Sequence, residues 1–301
     1  MTSREVAVKA APGSPEWHAM VTPSKVPPIL GISRWQSQFT AWHIAAGNLP
    51  PERIGDAKQD DFDYGHAAEL AAAEYWKFKN PGWRLSRGEI QYTDDSLEFA
   101  NAATIDRRAS RGSLRRIVEV KTARSLEEWG DDGSGEVPAD YAAQVIMQQR
   151  ISGLTAPADV VLWPQYGKPR IYTIEYDPRI AAAILMAIRR WHTSLYIERP
   201  PALDDTVSTY ESVRRLHPDI DEREVQLTSA LAHEYLTTVA EEKDVAKRLT
   251  GVKSRVLDAM SGAKTAKTGE LLIATRGPHG KGIALKSNTK ADPAEIERLA
   301  A

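Results

Sequence analysis

The residues best suited to chemistry are one aspartate and a glutamate–lysine pair that follows it. Asp106 closes the stretch FANAATID, and Glu119 and Lys121 lie two positions apart in the stretch RRIVEVKTA. Side chains alternate between the two faces of a strand, so Glu119 and Lys121 share one face, and Val118 and Val120 share the other. If the strand ending at Asp106 neighbours this one, two carboxylates and an ammonium group meet at one end of a sheet.

Two interpretations of this trio are open. Two carboxylates and a main-chain carbonyl are hard oxygen ligands of the kind that Mg²⁺ prefers. General acid–base catalysis alone gives about 10²–10⁴-fold acceleration, whereas enzymes reach ~10⁶–10¹⁷-fold and phosphate-ester hydrolysis is among the demanding cases. A metal is therefore needed if the trio is catalytic. The same residues taken alone more often form an ion pair on a solvated face.

Three flanking segments favour the catalytic interpretation. Glu69 ends the stretch GHAAE, on an Ala-rich helix upstream of the strands. Tyr141 and Gln144 lie three apart, on one face of a helix downstream of them. Ser24 and the stretch GISRW at 31–35 add a small polar element near the N-terminus. Together they predict polar groups on both sides of the strand that carries Glu119.

The elements that must position these residues follow from periodicity and turn signals. The predicted helices are 24–31, 37–46, 64–79, 139–151, 178–197 and 222–257. The predicted strands are 89–93, 99–105, 117–121, 159–163 and 170–176, with a hairpin formed by 270–275 and 282–286. This order predicts an α/β fold, in which a mixed sheet is flanked by helices, followed by a C-terminal extension with a helix and a β-hairpin.

Length and composition set the outer limits. The chain has 301 residues, a formal net charge of −2 and no cysteine. Disulfides, cysteine-bound zinc and iron–sulfur clusters are thereby excluded, and any DNA-binding surface must be a local patch. No stretch has the length of a membrane span, so we expect a cytoplasmic protein. We expect a flexible N-terminus over 1–14, one domain over 15–203 and an extension over 204–301.

The order of the motifs resembles that of a known family. The stretches EWH, GHAAE, TIDRR, VEVKTA, VPADYAAQV and ERPP occur in this sequence between residues 16 and 201. In this order they resemble the YqaJ-like viral recombinase family, the lambda-exonuclease-type branch of the PD-(D/E)xK nucleases. The resemblance covers roughly two-thirds of the chain and implies a core like that of restriction endonucleases.

The resemblance implies a role for each matching position. Lys121 would orient or deprotonate the attacking water or stabilise the charged phosphorane, and Gln144 would hold that lysine or the water. The metal ligands would be Asp106, Glu119, Glu69 and the main-chain carbonyl of Val120. The implied cofactor is Mg²⁺, with Mn²⁺ tolerated.

The expected DNA contacts come partly from the resemblance. It implies that Ser24 and Thr104 contact the 5′-phosphate of the DNA end. The family places an arginine before that serine, where this chain has AMVTPS, so either Arg124 or the arginines of 107–116 replace it. Those arginines form either a phosphate-tracking patch or a solvated hairpin. The complete set of predicted DNA-binding residues is Ser24, Ser33, Trp35, Thr104, Arg107, Arg108, Arg124 and Tyr141.

The function implied is that of a phage-type exonuclease in the cytoplasm of a bacterial host. It would degrade linear double-stranded DNA from its 5′ ends and leave 3′ single strands for recombination by strand annealing. The implied partners are DNA ends and a single-strand annealing protein; some relatives form rings, so a homo-oligomer is an open possibility. Two alternatives stay open: another PD-(D/E)xK endonuclease, and a non-catalytic protein that binds DNA ends or acts as a scaffold.

Overall fold

The computed structural model describes residues 3–7, 13–51, 55–280 and 282–300. The helices are α1 (Pro15–Ala19), α2 (Val26–Leu30), α3 (Gln38–Ala45), α4 (Asp56–Lys79), α5 (Ala139–Ser152), α6 (Pro178–Tyr196), α7 (Val207–Leu216), α8 (Ser229–Met260) and α9 (Pro293–Ala300). The strands are β1 (Ser3–Glu5), β2 (Arg84–Leu85), β3 (Ile90–Asp94), β4 (Ala103–Ile105), β5 (Arg107–Arg111), β6 (Leu114–Ala123), β7 (Ala158–Pro164), β8 (Arg170–Ile174), β9 (Thr265–Thr268), β10 (Leu271–His279) and β11 (Gly282–Ser287). They divide into two compact units, Met1–Ile220 and Asp221–Ala301.

The first unit is organised around a five-stranded mixed sheet with the order β2-β5-β6-β7-β8. Strands β5 and β6 form an antiparallel hairpin, whereas β6 and β7 run parallel, with Glu119 opposite Val160 and Lys121 opposite Leu162. A parallel pair requires a long crossover connection. Helix α5 supplies it and so lies beside β6. The predicted mixed sheet flanked by helices is confirmed.

A second sheet, with the order β1-β3-β4, brings Asp106 to the junction between the two sheets. Strand β4 ends at Ile105, which pairs with Ile90 of β3. Strand β5 begins one residue after Asp106, at Arg107, which pairs with Val118 of β6. Asp106 therefore neighbours β6 because the chain changes sheets around it, and the predicted strand 99–105 is shorter than expected.

The alternation along β6 separates two apolar layers. Val118 and Val120 pack with the fully buried Trp76 of α4 on one face. Ile117 faces the larger layer, which contains Val145 of α5 and Ile188 of α6 among others. Each fully buried aliphatic side chain contributes about 1.5–3 kcal/mol. Glu119 and Lys121 follow the parity of Ile117, so they face α5.

Local signals explain where α5 ends and where α6 begins. Helix α5 ends at Gly153, whose φ of 73° is left-handed and favours glycine. Helix α6 starts at Pro178 after Asp177, whose side chain accepts a hydrogen bond from the Arg179 amide.

The described part of the chain contains no helix with the length and apolar character needed to cross a bilayer.

The first unit extends beyond the boundary predicted at 203. Helix α7 packs against α3, and Thr40 hydrogen-bonds Ser208 and Ser212. This contact places α7 with the first unit, a long-range pairing that the change in composition at 203 does not indicate. In the predicted flexible segment, residues 3–5 form β1 and pair with β3, while residues 1–2 and 8–12 lie outside the described part.

The second unit consists of α8, the three-stranded antiparallel sheet β9-β10-β11 and α9. The predicted hairpin is confirmed, since Thr275 pairs with Lys286 and Arg276 with Leu285. The helix predicted over 222–257 runs instead over 229–260, and the side chain of Thr228 accepts the capping hydrogen bond from Leu231.

Candidate active site

Glu119 and Lys121 form a buried ion pair on the face of β6 that looks toward α5. The Lys121 Nζ donates to Glu119 Oε1 at 2.7 Å, and only 17% of the lysine side chain and 3% of the glutamate side chain are exposed. Burial lowers the pKa of Lys121, but the carboxylates of Glu119 and Asp106 raise it by a larger amount. The pKa of Lys121 therefore lies above its ordinary value. Lys121 is thus held as an ammonium ion.

Two glutamines of α5 complete the surroundings of Glu119. Gln144 Nε2 donates to Glu119 Oε1 at 2.9 Å, and Gln148 Nε2 donates to Glu119 Oε2 at 2.8 Å. Gln148 also reaches the Thr104 main-chain oxygen at 3.0 Å. The predicted Gln144 contacts the glutamate rather than the lysine, and Gln148 is a site residue that sequence reasoning missed. Its signal was present, because i and i+4 share one face of a helix.

Asp106 lies next to this pair, at the junction of the two sheets. Its Oδ2 accepts a hydrogen bond of 2.7 Å from the Val120 amide. Burial, followed by repulsion from Glu119, raises the pKa of Asp106 well above its ordinary value, although Lys121 opposes the shift. A carboxylate with an excess of neighbouring negative charge is well placed to accept a cation.

A cluster of three carboxylates provides the ligand atoms. Oxygen atoms of Glu69, Glu89 and Asp106 all lie within 4.8 Å of one another. Burial, followed by repulsion from Glu89, raises the pKa of Glu69. Glu89 was not predicted; it precedes Ile90, which pairs with Ile105, and this register places it beside Asp106. The donor set suits a hard divalent cation.

The ring of Tyr141 lies near two cations, the ammonium group of Lys121 and the guanidinium of Arg34. Lys121 Nζ lies 5.2 Å from the centroid of the Tyr141 ring, and the Arg34 guanidinium lies 5.3 Å from it. Arg34 is also bound by two hydrogen bonds of 2.9 Å to Asp140 and by an ion pair of 2.7 Å to Glu128. Cation–π contacts contribute about 0.5–2 kcal/mol each. The Tyr141 ring therefore restrains the ammonium group of Lys121.

The residues predicted to bind the DNA end occupy different environments. Ser24 and Trp35 are exposed, with 75% of Trp35 accessible. Ser24 belongs to a 3-10 helix, Pro23–Lys25, that packs against α5. The Ser33 hydroxyl accepts from the Trp35 and Gln36 amides, and the Thr104 hydroxyl accepts from Gln91 Nε2 at 2.9 Å. Their DNA contacts stay a prediction.

The predicted arginines are mostly engaged in ion pairs. Arg107 is buried, donates to the Asp106 main-chain oxygen at 2.6 Å and lies 3.6 Å from Glu69, so it belongs to the acidic cluster and not to an exposed patch. Arg108 binds Glu5 and the Tyr92 hydroxyl, each at 2.9 Å. Arg124 pairs with Asp61 and is 70% exposed. Arg124 is therefore the most accessible of the three.

The cluster predicts metal-dependent stability with a defined pH trend. The raised pKa values of Asp106 and Glu69 stabilise the metal-free fold at low pH, and this contribution is lost as the pH rises through those values. A cation binds the deprotonated carboxylates, so its affinity grows over the same range. We expect Mg²⁺ to raise the unfolding temperature, more at mildly alkaline than at mildly acidic pH. At about 100 Kd the stabilisation is ~2.7 kcal/mol.

Thermal unfolding with and without Mg²⁺ at both pH values measures this effect. The Asp106→Asn variant is the control, since it removes one of the three carboxylates and should lose most of the shift. An equal shift in the variant, or a larger one at the acidic pH, would contradict the assignment of the cluster.

Comparison with known proteins gives one family and several partial structural relatives. Residues 16–155 match the model of the YqaJ-like viral recombinase domain. An alkaline exonuclease from Laribacter hongkongensis is 17% identical, with a TM-score of 0.46 over 68% of this chain and 98% of that one. The same enzyme with dAMP is 16% identical, with a TM-score of 0.47 over 67% of this chain and 96% of that one. No curated protein matches the chain significantly.

Proposed function

We propose that this chain, whose residues 16–155 match the model of the YqaJ-like viral recombinase domain, is a Mg²⁺-dependent exonuclease that degrades linear duplex DNA from its 5′ ends. The observation that carries the proposal is the meeting of Asp106, Glu119 and Lys121 beside the carboxylates of Glu69 and Glu89. Hydrolysis of a phosphodiester needs a water nucleophile and stabilisation of negative charge. This group of side chains supplies the components for both.

The carboxylates of Glu69, Glu89, Asp106 and Glu119 would hold the cation. When bound, a divalent ion supplies a water of lowered pKa and neutralises charge on the phosphate. Lys121 is an ammonium ion in this setting, so its part is to place positive charge and a donated hydrogen bond beside the phosphoryl oxygens. This role differs from that of a base, which would need a neutral amine.

The two glutamines of α5 fix the geometry. Gln144 and Gln148 each donate to a different oxygen of Glu119, which prevents the carboxylate from rotating. Such supporting hydrogen bonds commonly affect metal affinity or activity by about 10–100-fold. Tyr141 restrains Lys121 through its ring. The site is therefore held by a single rigid helix on one side and a central strand on the other.

The proposal includes a biological setting. The expected product is a duplex with 3′ single-stranded ends, which requires a single-strand annealing protein as the consumer in recombination. The expected DNA-end contacts are those of Ser24, Thr104 and Trp35, together with Arg124, whose side chain is 70% exposed. Mn²⁺ should replace Mg²⁺, because the same oxygen ligands suit both ions.

Linear duplex DNA labelled at either the 5′ or the 3′ end tests the activity directly. With Mg²⁺ we expect the label at the 5′ end to be released as a mononucleotide before the label at the 3′ end. We expect EDTA to abolish the release. Covalently closed circular DNA of the same sequence is the control and should stay intact.

Each alternative gives a different result in this assay. Cleavage of the closed circle would assign the chain to the endonucleases. Absence of release with every divalent ion, together with retained binding to DNA ends, would assign it to the non-catalytic scaffolds. Earlier release of the 3′ label than of the 5′ label would reverse the proposed polarity.

A further inference from the structure

Helix α8 of the second unit carries an apolar face that its own unit leaves uncovered. Every residue from 233 to 250 is exposed in the described structure. The apolar side chains on this helix are among the exposed ones: Tyr235 is 64% exposed, Val245 50%, Leu249 48% and Val252 44%. In proteins, most helical stability comes from packing of an amphipathic face. The exposed part of α8 therefore presents an unpacked apolar face on which a partner helix can pack.

The apolar side chains recur at heptad spacing. They occupy two columns, with a few polar members, on one side of the helix. The first column is Tyr235, Glu242, Leu249 and Val256, and the second is Leu231, Thr238, Val245 and Val252. This is the a and d pattern of a two-helix contact, and it determines which residues border the contact.

The bordering charges are arranged with opposite signs in the two halves of the helix. Glu234 and Glu241 lie at the g positions of the N-terminal half, and Arg248 and Arg255 lie at the g positions of the C-terminal half. All four are exposed. In an antiparallel pair of identical helices, each g position meets a g position of the other helix. The two acids of one copy then meet the two arginines of the second.

We propose that α8 pairs with the α8 of a second copy of this chain in an antiparallel, two-fold symmetric contact. Glu234 would face the partner's Arg255, and Glu241 would face the partner's Arg248, with each pair occurring twice by symmetry. The core layers would place Tyr235 on the partner's Val252. The helix is therefore complementary to a reversed copy of itself.

A parallel pair has no such complementarity. There, g positions meet the e positions of the next heptad, which are Val239, Ala246 and Lys253. Arg248 would meet the partner's Lys253, a like-charge contact, and the glutamates would meet apolar side chains. Charged e and g positions decide orientation in helix pairs. The charge pattern thus selects the antiparallel arrangement.

Two polar residues lower the stability of this contact. Glu242 and Thr238 interrupt the apolar columns, and in the proposed register they lie opposite the partner's Val245 and the partner's Leu249. The contact joins C-terminal units and uses no residue of the nuclease site. It holds whether or not the proposed activity is correct.

Analytical ultracentrifugation of the full-length protein over a range of concentrations tests the assembly. We expect a concentration-dependent species of twice 33.3 kDa. The double variant Glu234→Lys with Glu241→Lys should shift the protein to monomer, because all four g positions become positive. Adding Arg248→Glu and Arg255→Glu to that variant restores complementarity and should restore the dimer. A wild type that stays monomeric at every concentration, or that forms a trimer, overturns the proposal.

The orientation can be tested by disulfide trapping, because the chain contains no cysteine. Two single-cysteine proteins are made, Tyr235→Cys and Val252→Cys. On oxidation, an antiparallel pair cross-links only when the two proteins are mixed. Cross-linking of each protein to itself, with none between them, indicates a parallel pair and overturns the proposal. Retained secondary structure and, where present, nuclease activity show that each variant is folded.

Discussion

Asp106→Asn is expected to reduce nucleotide release by roughly 10²–10⁴-fold, the loss typical of a catalytic electrostatic or acid–base contribution. Asp106 belongs to the cluster with Glu69 and Glu89, and it borders the ion pair of Lys121. Asparagine has the same shape but no charge, so the variant keeps the hydrogen bond from the Val120 amide and loses the attraction for a cation. The measurement is release from linear duplex DNA under saturating Mg²⁺.

The same substitution should leave the metal-free protein at least as stable as the wild type. Because the pKa of Asp106 is raised in the fold, ionisation of this group opposes folding above that pKa. A neutral side chain removes the opposing contribution. Urea unfolding at neutral pH in EDTA measures this. A large loss of stability would show that the carboxylate acts as a structural anion instead.

Asp159→Asn is a matched control on the other face of the same sheet. This buried carboxylate accepts hydrogen bonds from Trp76 and Arg116 at 2.8 Å and from Thr173 at 3.1 Å. Breaking such a buried pair costs about 3–5 kcal/mol. We expect the control to lose stability yet to retain activity at low temperature, the reverse of Asp106→Asn. Equal losses of activity would remove the distinction between the two carboxylates.

Lys121→Ala is expected to lower activity by about 10²–10⁴-fold as well, since it removes the positive charge that the proposed mechanism places beside the scissile phosphate. Here stability should also fall in EDTA, because Glu119 is left buried without its cation. Mg²⁺ should recover part of that stability, as the ion replaces the missing charge. Unfolding with and without Mg²⁺, alongside nucleotide release, separates the two effects.

Lys77→Ala is the control for that variant. Lys77 lies on α4 in an exposed pair with Glu74 at 2.9 Å, and such surface pairs contribute little. Neither activity nor stability should change measurably. If Lys121→Ala retained wild-type release, the ammonium group would have no role in the chemistry.

The strand carrying Glu119 and Lys121 was predictable because alternation in a strand is a local property. The same holds for Gln144, whose spacing from Tyr141 placed both on the inner face of α5. The structure confirms the mixed sheet and the position of Asp106 beside β6. These features depend on short stretches of sequence, within which periodicity determines direction.

Features that depend on distant pairing were missed. Glu89 reaches the cluster only through the register of Ile90 with Ile105, which no local pattern specifies. Arg107 was assigned to an exposed patch, whereas the change of sheets at Asp106 turns it inward toward Glu69. The first unit includes α7, beyond the boundary predicted at 203, because α7 contacts α3 through hydroxyl groups and not through an evident apolar pattern.

The strict alternation of β6 has a consequence for the kinds of mutation that the chain tolerates. A one-residue insertion or deletion within the strand would turn Glu119 and Lys121 toward Trp76 and turn Val118 and Val120 toward α5. Two charges would then enter an apolar layer, at a cost of several kcal/mol each. Substitutions can abolish the activity and leave the fold intact, but a one-residue shift of the strand's register abolishes the activity and destabilises the fold together. Evolution along this segment must therefore proceed by exchange of side chains and not by change of length.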